Sequence, residues 1–338
     1  MKYRLESRRY RLPFRAPVRT AHGAWAEREG VIVRLQSETG VVGFGEAAVI
    51  PWFGTETADE AEAACRELSV NIDDARLNAV PARLRCLKNA LATARRDQTG
   101  DKDGATHAKT LGVAAVLPAG RAVLAAISPK AEMGFRVFKW KVGVGDLADE
   151  LALLDDVCAA LPNGAKLRLD ANGAWERRKA ERWLECCAER PVEFIEQPIA
   201  VEAKGAADVL LGLAHDWPTP LALDESIASD GDIERWIGAG WPGVWIVKPS
   251  LLGDAAGAIK ALACAKADVV FSSALETAIG ARAALRVAFA WPGEKRALGF
   301  GVWPLFADAR FDGPYATPFL RRDDVDRLDG DAVWSALS

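Results

Sequence analysis

Three lysines and three carboxylates stand where one reaction could use them together. Lys139 and Lys141 lie in Val137-Phe138-Lys139-Trp140-Lys141-Val142, and Asp170 closes Arg168-Leu169-Asp170. Glu196 follows Phe194-Ile195, Asp224 follows Leu223, and Lys248 follows Ile246-Val247, each at the end of a short apolar run. A lone acid at a strand end is most often a helix cap or a solvated charge, and a lone lysine is usually solvated. The set says more than its members. Three carboxylates brought together repel one another unless a cation sits between them. All-oxygen ligation selects a hard ion, Mg²⁺, with Mn²⁺ able to substitute. Such an ion suits removal of a proton α to a carboxylate, because it stabilises the negative charge as it develops. The base must then be neutral near pH 7. A lysine beside another lysine and a dication falls from its usual pKa of about 10.4 toward that range. The Lys-x-Lys spacing supplies this, with Lys139 depressing Lys141.

These residues need a scaffold that gathers them. From about Lys109 the chain alternates short apolar runs with helical patterns. The runs are Lys109–Val116, Arg136–Val142, Ala165–Asp170, Val192–Glu196, Pro220–Asp224, Val244–Lys248, Asp268–Ser273 and Ala297–Phe300. From the second run on, successive ends are 24 to 29 residues apart, the length of a strand, a helix and two loops. Eight such units predict parallel strands with helical crossovers, closed into a (β/α)₈ barrel. An open doubly wound sheet is the alternative, but no glycine-rich phosphate loop follows the first run. In the second run, alternation puts Phe138, Trp140 and Val142 on one face and both lysines on the other. Helices must cover the aromatic face, so the lysines point into the barrel. Asp170, Glu196 and Asp224 end neighbouring strands, while strands two and six put the Lys139/Lys141 pair and Lys248 on opposite sides of the mouth.

The first hundred residues form a different, α+β module. Tyr3–Leu12 and Gly30–Gln36 alternate, Ser37-Glu38-Thr39-Gly40 is a turn, and Val41–Ala47 is a further strand. Thr57 and Glu60 form a capping box opening a helix to about Leu68. Pro81 begins another helix, to about Arg96. The expected division is 1–106 for this capping module, 107–303 for the barrel, and 304–338 for a tail folding back on the module, with a polar linker at Gln98–Thr106.

The ordered segments KWK, LDANG, EFIEQP, ALDES and IVKPS resemble the enolase superfamily in its muconate-lactonising-enzyme-like subgroup. The short capping module, Val247–Gly253 (VKPSLLG) and Ser272–Gly280 (SSALETAIG) are most similar to that subgroup's o-succinylbenzoate synthase family. The resemblance implies Asp170, Glu196 and Asp224 as Mg²⁺ ligands and Lys141 and Lys248 as the catalytic lysines. It also implies syn dehydration of a cyclohexadiene carboxylate in menaquinone synthesis. Lys141 would then move the proton, and Lys248 would stay cationic on the opposite face. Supporting roles fall to Lys139, Arg168, Asn172, Ser272, Ser273 and Gly299. For Arg168, orienting Lys141, contacting substrate and a structural ion pair stand level. Glu225 reads as a cap or a neighbour of the metal ligands. A racemase or dipeptide epimerase, moving a proton between two faces of one carbon, is the alternative. Dipeptide epimerases carry Asp-x-Asp after the last strand, where this chain has Gly299-Phe300-Gly301-Val302-Trp303-Pro304.

The expected partner, from the site residues and the resemblance, is a small-molecule carboxylate, and composition offers no other. A net charge of −4 gives no sign of nucleic acid. The most apolar stretch, Leu111–Ile127, is broken by Pro118, Gly120 and Arg121, which argues against a membrane span. Met1–Leu12 lacks a secretory core, and the six cysteines form no CxxC pair, so a cytoplasmic, reduced protein is expected. Oligomeric state is not legible. His22 with Thr20, and Phe53 with Gly54, lie in two loops expected to bear on substrate. His107 and His215 read as linker and helix-end residues.

Overall fold

The computed structural model describes residues 1–20, 23–68, 70–99 and 108–337. His22, His107 and most of the expected linker lie outside them. The alternation at the amino terminus folds into a long hairpin of β1 (Lys2–Thr20) and β2 (Gly23–Ser37), with β3 (Val42–Ala47) beyond it. Tyr3 and Leu5 join the module's own core, whereas Tyr10, Leu12 and Phe14 join the barrel's. One strand therefore serves two cores by changing the parity of its buried face. Helix α1 (Ala58–Leu68) opens on the expected capping box: Glu60 accepts from the Thr57 amide at 2.9 Å, and Thr57 Oγ1 accepts from the Glu60 amide at 3.2 Å. A fourth strand, β4 (Asn71–Asp73), was not expected; it leads into α2 (Asp74–Asn78). The next helix, α3 (Arg85–Thr99), begins later than Pro81, which opens only a turn closed by the Leu84 amide.

Strand β5 (Thr110–Gly112) precedes a parallel sheet. Its strands are β6 (Ala115–Leu117), β7 (Val137–Lys141), β8 (Lys166–Asp170), β9 (Val192–Glu196), β10 (Leu221–Leu223), β11 (Val244–Val247) and β12 (Asp268–Phe271), each beside its sequence neighbour. The crossovers are α4 (Ala122–Glu132), α5 (Leu147–Ala160), α6 (Arg177–Cys187), α7 (Ala206–Asp216), α8 (Asp230–Gly238) and α9 (Ala255–Cys264), with α10 (Ala278–Ala290) after β12. The fold is thus an α/β barrel with an amino-terminal antiparallel sheet. Two expected strands differ in detail. The first is split, because Thr110–Gly112 pairs antiparallel with β13 (Phe319–Arg321) and only the residues after it enter the ring. The eighth is no regular strand. Leu298 bridges to Val113 and Gly299 to Ser272, and those backbone bonds close the ring. A Cβ on Gly299 would lie 2.4 Å from Ser272 Oγ, so the close approach excludes a side chain.

Phe138 and Trp140 are fully buried on the helix-covered face, and Trp140 meets Trp183 of α6 edge-on at 6.3 Å. Inside the ring, Phe194, Ala222, Val244, Ile246 and Val270 form a small apolar core of their own. Two residues further along, at the C-terminal ends of four of these strands, the same face carries Glu196, Asp224, Lys248 and Ser272. The inward column therefore changes from apolar to polar or charged at its last position, where barrel enzymes build their sites. After the ring, α11 (Arg322–Asp326) packs against α10, and α12 (Gly330–Ala336) returns to the amino-terminal sheet. There the Arg8 guanidinium lies 4.2 Å from the Trp334 ring centroid, and Phe44 packs 6.1 Å from it.

Candidate active site

Parallel register decides which side chains meet at the mouth. Lys141 pairs with Asp170, and Asp170 with Glu196, across β7, β8 and β9. Asp170, Glu196 and Asp224 are all buried. Lys139 reaches up between two of them, its Nζ 2.9 Å from Asp170 and 2.7 Å from Glu196. Burial alone would lower the Lys139 pKa, but attraction to Asp170, Glu196 and Asp224 outweighs it and raises it above the usual lysine value. Burial and the Asp170 charge hold the Glu196 carboxyl well above the ordinary carboxylate range despite Lys139. Lys248 forms a close ion pair with Asp224 from the other side. Its Nζ also lies 4.7 Å from the centroid of Phe53, which brings one of the two loops singled out above into the site. Trp52 beside it packs edge-on against Trp25 of β2 at 4.7 Å.

As the side chains stand, each acid is paired with a lysine, and no three Asp, Glu, His or Cys among the described residues form a ready cage for an ion. The donor set still fits a hard divalent cation: three carboxylates from neighbouring strand ends, all oxygen, carrying one more charge than Lys139 and Lys248 together. Two buried oxygens beside them, Asn172 Oδ1 and Glu225 Oε2, lack a hydrogen-bond partner, as acceptors near a hydrated ion would. Asn172 is otherwise engaged: its Nδ2 donates to Glu225 at 3.1 Å, and its amide donates to Asp170 at 3.2 Å. Burial and the adjacent Asp224 push the Glu225 carboxyl up to about 7.

Other expected contributors are spent elsewhere. Arg168 donates to Glu193 at 2.6 Å and to the Ala297 carbonyl at 2.7 Å, with its guanidinium 4.9 Å from the Phe194 centroid. Of its possible roles, the structure displays the ion pair, because Glu193 sits at a register shift that turns it inward. The Ser273 hydroxyl accepts from the Leu275 amide and donates to Glu276 at 2.6 Å, so it is held within its own loop. Ser272 donates to the Gly299 carbonyl at 3.3 Å, and the Gly299 amide closes the ring on Phe271. His215 lies in the last turn of α7, its Nδ1 2.7 Å from the Leu211 carbonyl.

Gln197, quoted in a motif but given no role, holds the acids in place. It is fully buried at φ 36°. Its Nε2 donates to the Ile199 carbonyl and Ser226 Oγ, both at 2.8 Å. Its Oε1 accepts from the amides of Asp224 at 3.0 Å and Ser226 at 3.1 Å. One side chain thus ties the end of β9 to the end of β10.

Comparison with known proteins gives this geometry a lineage. Residues 122–318 match the family described as Enolase C-terminal domain-like, and residues 3–85 match MenC, N-terminal domain. An o-succinylbenzoate synthase of Thermosynechococcus vestitus is 37% identical over 304 residues, spanning 88% of this chain and 92% of the relative. A hydrophobic dipeptide epimerase of Roseobacter litoralis is 33% identical over 239 residues, 65% of this chain and 67% of the relative. The solved o-succinylbenzoate synthase from Thermosynechococcus elongatus BP-1, complexed with Mg in its active site, superposes with a TM-score of 0.81. That alignment has 34% identity and covers 98% of this chain and 99% of that one. With both its amino-terminal module and its barrel matched, the chain belongs to the o-succinylbenzoate synthase family of enolase-superfamily enzymes.

Proposed function

We propose that this enzyme eliminates water from 2-succinyl-6-hydroxy-2,4-cyclohexadiene-1-carboxylate to give 2-succinylbenzoate, a step of menaquinone synthesis. The observation that carries the reading is the placement of two lysine sites across one ring. Lys141 ends β7 and Lys248 follows β11, four strands away, with the three acids between them. Asp170, Glu196 and Asp224 would hold Mg²⁺, whose charge lowers the cost of the negative charge formed when the α-proton leaves. Lys141, as a neutral amine, takes the α-proton. The C–H electrons form the ring double bond, and the C–O bond on the same face breaks. Lys141 then returns its proton to the departing hydroxide, so one water leaves and the amine is restored. Lys248 stays protonated throughout, held by Asp224 and facing Phe53, and attracts the developing charge from the opposite face. Lys139 is the fixed positive neighbour of Lys141.

The similarity to a dipeptide epimerase keeps one alternative in view, in which both lysines exchange protons with one carbon. The Gly299–Pro304 segment lacks the Asp-x-Asp expected of that chemistry and instead closes the barrel. The deciding experiment assays the purified protein with the cyclohexadiene substrate, N-acylamino acids and hydrophobic dipeptides. Dehydration with little racemisation supports the proposal. Efficient racemisation or epimerisation without dehydration overturns it.

A further inference from the structure

The amino-terminal module does more than cover the barrel. In β3, Gly43 and Gly45 face α3 so closely that a Cβ would lie 2.0 Å from the Ala94 carbonyl and 1.9 Å from that of Ala90. Alternation sends Phe44 and Glu46 to the other face, toward the barrel. Glu46 is 3% exposed and is met by the first turn of α10. It accepts from the Thr277 amide and hydroxyl and from the Gly280 amide, with both amides at 3.0 Å, and from the Tyr10 hydroxyl. A carboxylate 231 positions away thus satisfies the open amides of a barrel helix. The fit is tight, since a Cβ on Gly280 would come 2.7 Å from Glu276 Cβ and 2.8 Å from Glu46 Oε2.

Two further side chains act on the same rim. Arg28 of β2 is fully buried and donates to the carbonyls of Leu275 at 3.1 Å and Ala274 at 3.4 Å. Leu275 stands at φ 58°, a left-handed conformation that is strained for a residue with a side chain and needs outside support. Asn89 of α3 donates to the carbonyls of Pro249 at 3.0 Å and Leu252 at 2.7 Å, in the turn immediately after Lys248. The two rim loops are themselves joined, because Glu276 accepts from Ser250 at 3.3 Å and from Ser273 at 2.6 Å.

We propose that Arg28, Glu46 and Asn89 are positioning residues. The amino-terminal module sets the shape of the loops after β11 and β12, so substrate affinity depends on side chains that do not touch substrate. This rests on the reading above that Lys248, at the head of the loop after β11, faces the substrate. Glu46→Leu nearly keeps the size but removes every acceptor from the Thr277 and Gly280 amides, while Gly280→Ala crowds both Glu46 and Glu276 without altering any polar group. Losing two such bonds, at about 1 kcal/mol each, corresponds to a change of tenfold or more. Both variants should therefore raise amide exchange within 272–281 about tenfold and raise KM by about the same factor, with kcat changed less than about threefold. Asn89→Ala, at a partly exposed position, should act in the same way on 249–253 alone and serves if the others fail to fold. A purely structural role would lower the melting temperature and the active fraction but leave KM and loop exchange at wild-type values, and that result overturns the proposal. The exchange measurement decides the clamp even if wild type proves not to dehydrate its substrate, so the two readings fail separately.

Discussion

Replacing Gln197 by leucine removes four hydrogen bonds, three of which join the ends of β9 and β10, while nearly conserving volume. The groups left behind are the amides of Asp224 and Ser226, the Ile199 carbonyl and the Ser226 hydroxyl, all in a buried setting. An unsatisfied buried polar group costs about 1–3 kcal/mol, and relaxation or an entering water recovers part of that. With half the groups relieved, the loss is about 3–4 kcal/mol, a large fraction of a typical domain's stability. The consequence is local as well. Asp224 keeps its carboxylate but loses the bond that fixes its backbone, so its alignment with Asp170 and Glu196 loosens. A loss of about 1.4 kcal/mol in that alignment is a tenfold weaker metal site. Urea unfolding should show a lower midpoint with an unchanged slope. Titration calorimetry should show weakened Mg²⁺ binding, and added Mg²⁺ should restore part of the stability. A Gln197→Leu protein with wild-type unfolding and wild-type Mg²⁺ affinity would refute this role.

Chelation with EDTA should abolish turnover and Mg²⁺ should restore it, and Glu196→Gln should bind Mg²⁺ at least tenfold more weakly by calorimetry. Glu276 is fully buried and its carboxyl is pushed up to about 7 by burial, from an ordinary 4.5. The folded protein therefore binds this proton more tightly than the unfolded chain, and the site's contribution to stability is lost as pH rises from about 4.5 through 7. Glu276→Gln should flatten that part of the stability–pH curve and should be relatively more stable at pH 8 than at pH 5, by up to about 3 kcal/mol. Denaturant titrations across this range check the sign, and an unchanged slope would show that Glu276 does not titrate there.

The legible parts of the molecule were those set by periodicity. Phe138 and Trp140 had to face helices, which turned Lys139 and Lys141 inward, and the same parity carried Glu196, Asp224 and Lys248 to the last inward position of their strands. The capping box at Thr57 was equally plain, because its two residues need only a fixed spacing. Three features depended on partners distant in sequence. Gln197 works through a left-handed backbone and amides 27 and 29 residues away, which a motif string does not reveal. The eighth strand is reduced to bridges because Gly299 and Gly301 let the chain approach its neighbours closely. Glu46 did leave a signal: an acid on the apolar-paired face of a Gly-Phe-Gly-Glu strand must find donors outside its own sheet. Arg168 is the converse case: its inward direction was clear and an ion pair was among its expected roles, while the register shift that supplies Glu193 was not legible.

The central claim assigns unequal roles to two lysines, and exchanging each for arginine tests it directly. Arginine keeps the positive charge and cannot act as a base at neutral pH. In the Mg²⁺-loaded enzyme, Lys248→Arg should retain measurable dehydration, reduced mainly by altered geometry, because the fixed charge survives. Lys141→Arg should show no dehydration and no exchange of the substrate α-proton with solvent deuterium. Equal activity in both variants, or dehydration by Lys141→Arg, would contradict the account.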